Sequence, residues 1–366
     1  MTGNLRFIAE ILPMWFEANA RSLPWRENKD PYRVWLSEIM LQQTRVEAVV
    51  GYYNRFLSVL PDIPSLAVAS QDVLLKLWEG LGYYNRVRNL QKAARKIMEE
   101  YQGAFPRSYE EILALPGVGA YTAGAVGSIC FDLPTPAVDG NVLRVISRYL
   151  EDPRVIDLEQ TKKAVREMLV PVYETVSPGI MTQALMELGA CVCIPNGSPK
   201  CEICPLKQHC VSFAHQTWEE FPKRAEKKKR KIQHKTVLVL QCGEYFAIKK
   251  RSENGLLANL WEFPNVDIPE GVQADLIKNS TEAPPDPADA VRLADSLGVS
   301  TKEIIKALRY THVFTHVEWH MTAWFLLCDK KTPDLIWVTK KELKQYFALP
   351  SAFRPFLEEI LSDPEM

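Results

Sequence analysis

The sequence predicts a multidomain protein, an all-α domain followed by a smaller α+β domain. Three observations carry that expectation. From Leu5 to about Ala214, apolar residues recur at three- and four-residue spacing with little period-2 alternation, which is the signature of packed helices. Lys223 to Lys231 then reads Lys-Arg-Ala-Glu-Lys-Lys-Lys-Arg-Lys, a linker by composition. Beyond it, short runs rich in β-branched and aromatic residues replace the helical pattern. At 366 residues the chain is also too long for one small domain. The expected division is a helical domain over 1–218, a basic linker over 219–232 and a second domain over 233–366.

Proline and glycine punctuate the helical part at Leu23-Pro24, Pro61 to Pro64, Gly103 to Pro106, Pro134 to Pro136 and Ser177-Pro178. Pro31 to Val50 reads as one helix. In the second part, Thr236–Gln241, Tyr245–Lys249, His312–Trp319 and Met321–Cys328 read as strands. Val266 to Asp289 is polar and Pro-rich and reads as a loop, and Ser351 to Leu361 as a closing helix. Met1 to Phe16 carries no long apolar core, so neither a signal peptide nor a membrane span is expected. A cytoplasmic monomer is expected (nucleoid-associated in a bacterium, nuclear or mitochondrial in a eukaryote). The net charge of −1 gives no global field for nucleic acid, so any such binding must come from local patches.

Four segments carry chemistry. Leu115-Pro-Gly-Val-Gly-Ala-Tyr-Thr122 places Gly117 and Gly119 in a tight turn between two helices, where backbone N–H groups and a helix N-terminus suit an anion such as a DNA phosphate. Glu38 lies between Val34 and Leu41 on an apolar helical face, where burial would raise its pKa and let it hold a proton near neutrality. From the helix alone, a solvated glutamate or a salt bridge is the commoner reading. Asp139 precedes a helical run, so an N-terminal position should keep it ionised; a plain cap is the alternative. A protonated and an ionised carboxyl together suit acid-assisted cleavage of a glycosidic bond. Finally, Cys193, Cys201, Cys204 and Cys210 form C-x7-C-x2-C-x5-C, which fits zinc or a [4Fe–4S] cluster. The other cysteines, Cys130, Cys191, Cys242 and Cys328, read as buried packing residues rather than disulfide partners.

Taken in order, Leu23-Pro-Trp-Arg26, Trp35 to Val46, Trp78-Glu-Gly-Leu-Gly-Tyr-Tyr84, the glycine hairpin and Val138-Asp-Gly-Asn-Val142 resemble the A/G-mismatch adenine DNA glycosylases (the MutY family) of the helix-hairpin-helix superfamily. The resemblance spans both parts of the chain. It implies a six-helix barrel over about 25–132 and a cluster-bearing part made of 1–24 and 133–218. It further implies that Glu38 protonates the departing adenine and then assists water, that Asp139 stabilises the sugar cation or its adduct, and that Tyr121 and Asn141 line the reacting centre. By the same likeness Trp25, Arg26, Leu41 and Val46 surround the extruded adenine, while Gln43, Thr44, Leu81 and Tyr83 enter the duplex about the opposite 8-oxoguanine. Tyr121 stands where lyase members carry lysine, which implies a monofunctional enzyme.

The likeness favours [4Fe–4S] over zinc, with a first cysteine gap one residue longer than usual in the family. Pro199, Lys200, Lys207 and His209 would flank the cluster loop beside DNA. In the second part, Gly255 to Pro264 resembles the family's Nudix-like domain. Gly271 to Ser300 holds no Arg-Glu-x-x-Glu-Glu run, so pyrophosphatase activity is not expected. Phe314-Thr315-His316 matches the loop that inspects 8-oxoguanine, with threonine where serine is typical. Met181-Thr182 replaces a more usual Phe-Asn and reads as a packing change. The expected partner is duplex DNA with A:8-oxoguanine or A:G mispairs.

Overall fold

The computed structural model describes residues 4–226, 229–268 and 286–363. Two linker residues, 227–228, and most of the loop expected over Val266 to Asp289 lie outside the described residues. The chain divides into two compact units: Met1–Ala69 with Asn85–Glu226, and Ser70–Tyr84 with Lys227–Met366. No described helix is long and apolar enough to cross a membrane.

The first unit is helical. Its N-terminal helix, Leu5–Asn19, buries Ile8 and Leu12 against Ile146, Leu169 and Leu185 of three later helices. Two of its helices start where the sequence supplies a side-chain cap. Asp30 accepts from the Arg33 N–H ahead of Pro31–Leu41, and Ser108 with Glu111 forms a reciprocal box ahead of Tyr109–Leu113. The glycine turn follows, with Gly117 at φ 74°, and leads into Ala120–Phe131. A Cβ on Gly117 would lie 2.5 Å from the Asn89 Cβ, so both the dihedral and the packing demand glycine. In place of a Phe-Asn pair, Thr182 forms a buried hydroxyl chain with Ser128 at 2.7 Å and Tyr173 at 3.0 Å.

The helix expected over Pro31 to Val50 is instead two helices, Pro31–Leu41 and Val46–Val59. Gln43 turns left-handed at φ 60°. One guanidinium nitrogen of Arg86, Nη1, donates to the carbonyls of Ile39 (2.7 Å), Met40 (3.2 Å) and Gln42 (2.7 Å), satisfying groups that a helix end would leave open.

The second unit is built on a seven-stranded mixed sheet: β1 Lys231–Cys242, β2 Tyr245–Lys250, β3 Trp261–Glu262, β4 Asn265–Ile268, β5 Thr301–Val313, β6 Val317–Cys328 and β7 Ile336–Thr339. The order is β3-β2-β1-β6-β5, with β4 on β1 and β7 on β2; β1 and β6 run parallel and the other pairs antiparallel. Period-2 alternation sends Val237, Val239 and Phe325 to one face, against Phe353 and Phe356, and Leu238, Leu240 and Leu326 to the other, against Ala290 and Ala294. β1 starts at Lys231, inside the expected linker. The run His312–Trp319, read as one strand, is cut by a turn in which the Phe314 N–H donates to the Val317 carbonyl at 2.8 Å. The closing helix begins after a short 3-10 turn and spans Arg354–Ser362. In the segment 70–84, Trp78 is a core residue, fully buried with its indole N–H on the Gly82 carbonyl at 3.0 Å.

Candidate active site

A cleft of about 830 Å³ opens in the first unit. Its walls gather Glu38, Tyr121, Asp139 and Asn141 with Trp25, Arg26, Leu41, Gln43, Thr44, Val46 and Gly119. Of the anticipated site residues, Gly117, Leu81, Tyr83 and Phe314 to His316 are not among its walls. Residues Arg21, Arg144, Gln183 and Glu187 also line it, and the motif reading had missed them. Gln183 and Glu187 lie one helical turn apart on Pro178–Cys191, a spacing that could have marked them as one polar face.

Glu38 is 5 % exposed, inside a helix whose sides are almost all buried. Burial pushes its carboxyl up to about 7, and the charge of Asp139 adds to this; the Tyr121 hydrogen bond and Arg26 pull the other way. The Tyr121 hydroxyl donates to Glu38 Oε2. Burial and the neighbouring carboxylates hold the phenol well above its usual range, so it remains a hydrogen-bond donor.

Asp139 caps Gly140–Leu150, accepting from the Val142 N–H at 2.8 Å, and receives the Asn141 amide on its other oxygen at 2.7 Å. The expected direction of its shift is reversed. Burial raises its pKa, although the Val142 N–H, Asn141 and Arg144 all favour the ionised form. Asn141 is in turn held by Arg144 Nη2 at 2.8 Å, and Arg144 also donates to the carbonyls of Gly189 (2.8 Å) and Cys193 (2.7 Å). Gly189 permits this: a Cβ there would meet the Asn141 Cβ at 2.5 Å.

Arg26 reaches the cleft by an ion pair with Glu187 at 2.8 Å, and Arg21 clamps the same carboxylate at 2.7 and 3.0 Å. Burial would raise Glu187, but the hydrogen bonds of Arg21 and Arg26 overcome it and hold the group down at about 2.

Cys193, Cys201, Cys204 and Cys210 line one small cavity with Arg148, Val192, Phe213 and Trp218. Arg148 Nη1 donates to Cys193 Sγ at 3.4 Å. The four cysteines line this one cavity, while among the described residues no three His, Cys, Asp or Glu are placed to hold a metal ion together. Of the flanking residues, Lys207 pairs with Glu202 and His209 stacks on Phe7 at 3.6 Å. All eight cysteines are free thiols; Cys328 is buried, while Cys130, Cys191 and Cys242 are half-buried, with Cys191 and Cys242 packed against the cores of their units.

In the second unit, Tyr83 is 49 % exposed and left-handed at φ 46°, while Leu81 is buried. The Tyr83 and Thr315 hydroxyls share a 2.7 Å hydrogen bond. Phe314 is wedged edge-on between His312 and Trp319, at 4.5 and 4.8 Å, leaving Thr315 and His316 exposed at the tip.

Residues 36–171 match the family model described as "HhH-GPD superfamily base excision DNA repair protein", and residues 236–359 match a NUDIX domain. The adenine DNA glycosylase of Buchnera aphidicola subsp. Acyrthosiphon pisum is 32 % identical over 364 residues, which is 96 % of each chain. The chain belongs to the adenine DNA glycosylase family. The human adenine DNA glycosylase is 32 % identical, covering 92 % of this chain and 72 % of its own length. Among solved structures, a thermostable thymine-DNA glycosylase matches at TM-score 0.53 and 28 % identity, over 58 % of this chain and 97 % of that one. Membership of the adenine DNA glycosylase family makes this chain a DNA glycosylase whose two units carry the helix-hairpin-helix and Nudix folds.

Proposed function

We propose that this glycosylase hydrolyses the N-glycosidic bond of adenine mispaired with 8-oxoguanine or guanine in duplex DNA and leaves an abasic site. The observation that carries this reading is Glu38, a buried carboxyl held near pH 7 beside Tyr121, in the same cleft as Asp139. The adenine is extruded into the cleft, because its reacting bond is shielded inside the duplex. Trp25, Arg26, Leu41 and Val46 enclose it. Protonated Glu38 delivers its proton to the adenine as the glycosidic electron pair leaves with the base. Ionised Asp139, oriented by Asn141, stabilises the resulting sugar cation. Glu38, now a carboxylate, takes a proton from the attacking water. Tyr121 occupies the place of a Schiff-base lysine and cannot form one, so the strand stays intact.

Thr315 and Tyr83 read the opposite base, with Phe314 and His316 shaping the loop and Gln43 and Thr44 entering the duplex; Leu81, being buried, does not take the inserted position expected of it. Gly117 and Gly119 present backbone N–H groups to a phosphate. Cys193, Cys201, Cys204 and Cys210 would hold a [4Fe–4S] cluster; their soft sulfurs around one cavity fit it. When bound, it would brace the loop from which Cys193 accepts hydrogen bonds from Arg144 and Arg148. The protein acts as a monomer.

Single-turnover assays on A:8-oxoguanine, A:G and T:G duplexes test the reading. Adenine release from the first two is expected, slowed at least about a hundredfold in Glu38→Gln. Release of thymine only, or equal rates for the variant, would overturn it. Borohydride should trap no substantial covalent adduct. Iron without zinc, with broad absorbance near roughly 400 nm, should accompany the protein.

A further inference from the structure

The cleft is an unfavourable place for DNA unless something offsets its charge. Four carboxyls line it, Glu38, Asp139, Glu159 and Glu187, and the ligand is a polyanion. Most of its cations are already committed. Arg21 and Arg26 are bonded to Glu187, and Arg144 to backbone carbonyls and Asn141. Arg166 differs. It lines the cleft from the helix Glu159–Tyr173, and its buried Nε has no hydrogen-bond partner among the described residues. A buried guanidinium donor without a partner is costly, and a ligand oxygen would satisfy it. Lys162 lies one turn earlier on the same helix face and also lines the cleft. Its Nζ rests 2.6 Å from Glu159, whose side chain is 84 % exposed, so the pair is weak and Lys162 can exchange it for a stronger anion.

We propose that Arg166 and Lys162 form a phosphate subsite on the cleft wall that grips a phosphodiester flanking the extruded nucleotide. The guanidinium fork matches phosphate oxygens in a way an ammonium does not, so Arg166 fixes orientation and Lys162 adds charge. Arg166 is a binding and positioning residue here and takes no part in the proton transfers of Glu38. The inference rests on the family's DNA glycosylase activity and not on which mispair is read.

The test is binding of the full-length protein to a duplex carrying a tetrahydrofuran abasic analogue, followed by fluorescence anisotropy across a salt series. This probe has no base to excise, so the result stands even where the mispair assignment fails. Arg166→Gln is expected to weaken binding about tenfold and to flatten the slope of log Kd against log salt by about one. Lys162→Gln should flatten it similarly, and Arg166→Lys should keep the slope while losing part of the affinity. An unchanged Kd, or a weaker Kd with an unchanged slope in Arg166→Gln, would overturn the subsite. If Arg166→Gln folds poorly, Lys162→Gln provides the slope readout, and an unchanged slope there would equally overturn the subsite.

Discussion

Glu38 owes its chemistry to where the fold puts it. Its carboxyl rises from an ordinary 4.5 to about 7 because burial disfavours the charged form. Single-turnover excision should therefore decline as pH rises through about 7, with the acid lost one proton at a time; a rate flat from pH 6 to 8.5 would count against the assignment. The same shift has a stability sign. A carboxyl that binds its proton more tightly when folded stabilises most below its unfolded pKa, and that contribution fades as pH rises through the folded value. The loss is about 3 kcal/mol at most. Glu38→Gln keeps an acceptor for Tyr121 and carries no charge, so its melting temperature should match the parent's near pH 4.5, overtake it progressively as pH rises and reach its full margin by about pH 7. A constant offset across that range would contradict the linkage. The apolar face of Glu38 was legible from the positions of Val34 and Leu41. The direction of the Asp139 shift was not, because the walls that bury it lie far away in the sequence.

Helices and turns were readable where their signals are local. Asp30 before Pro31, Ser108 before Glu111, and the glycine hairpin all mark their elements by adjacent residues. The break after Leu41 is not local: apolar residues continue through Val46 and Val49, and the stop comes from Arg86. β5 also escaped notice, since this edge strand alternates between partly and fully exposed residues and offers no apolar run. The helix Pro178–Cys191 makes a sharper prediction. Gly189 lies against Asn141, so Gly189→Ala must push the side chain that holds Asp139. Thermal melting should show a loss of about 1–3 kcal/mol, and excision should slow with it. Gly119→Ala is the contrast, because no atom lies within 4 Å of its added methyl. It should fold normally, and any weakening should appear in DNA affinity alone.

At the scale of the molecule, the residues proposed for the chemistry and those proposed to read the opposite base fall in different units. Glu38, Asp139 and Tyr121 belong to the first, while Tyr83, Phe314 and Thr315 belong to the second. Thr315→Ala should narrow the preference for A:8-oxoguanine over A:G in competition assays while leaving the midpoint of the pH profile near 7. A shifted midpoint would mean that the two functions are not separable. The two-part layout was visible from the change of texture after the linker; the grouping of residues 70–84 with the second unit was not, because their helical pattern resembles that of their neighbours. The break in the helix of Glu38 has an electrostatic consequence. A helix C-terminus is a negative pole, and this one ends at Gln42 to Thr44 on the wall of the cleft proposed to receive DNA, a polyanion. By placing a permanent cation on three of the last carbonyls, Arg86 masks that pole as well as terminating the helix. A DNA backbone approaching from that side meets a neutralised surface rather than a repulsive one.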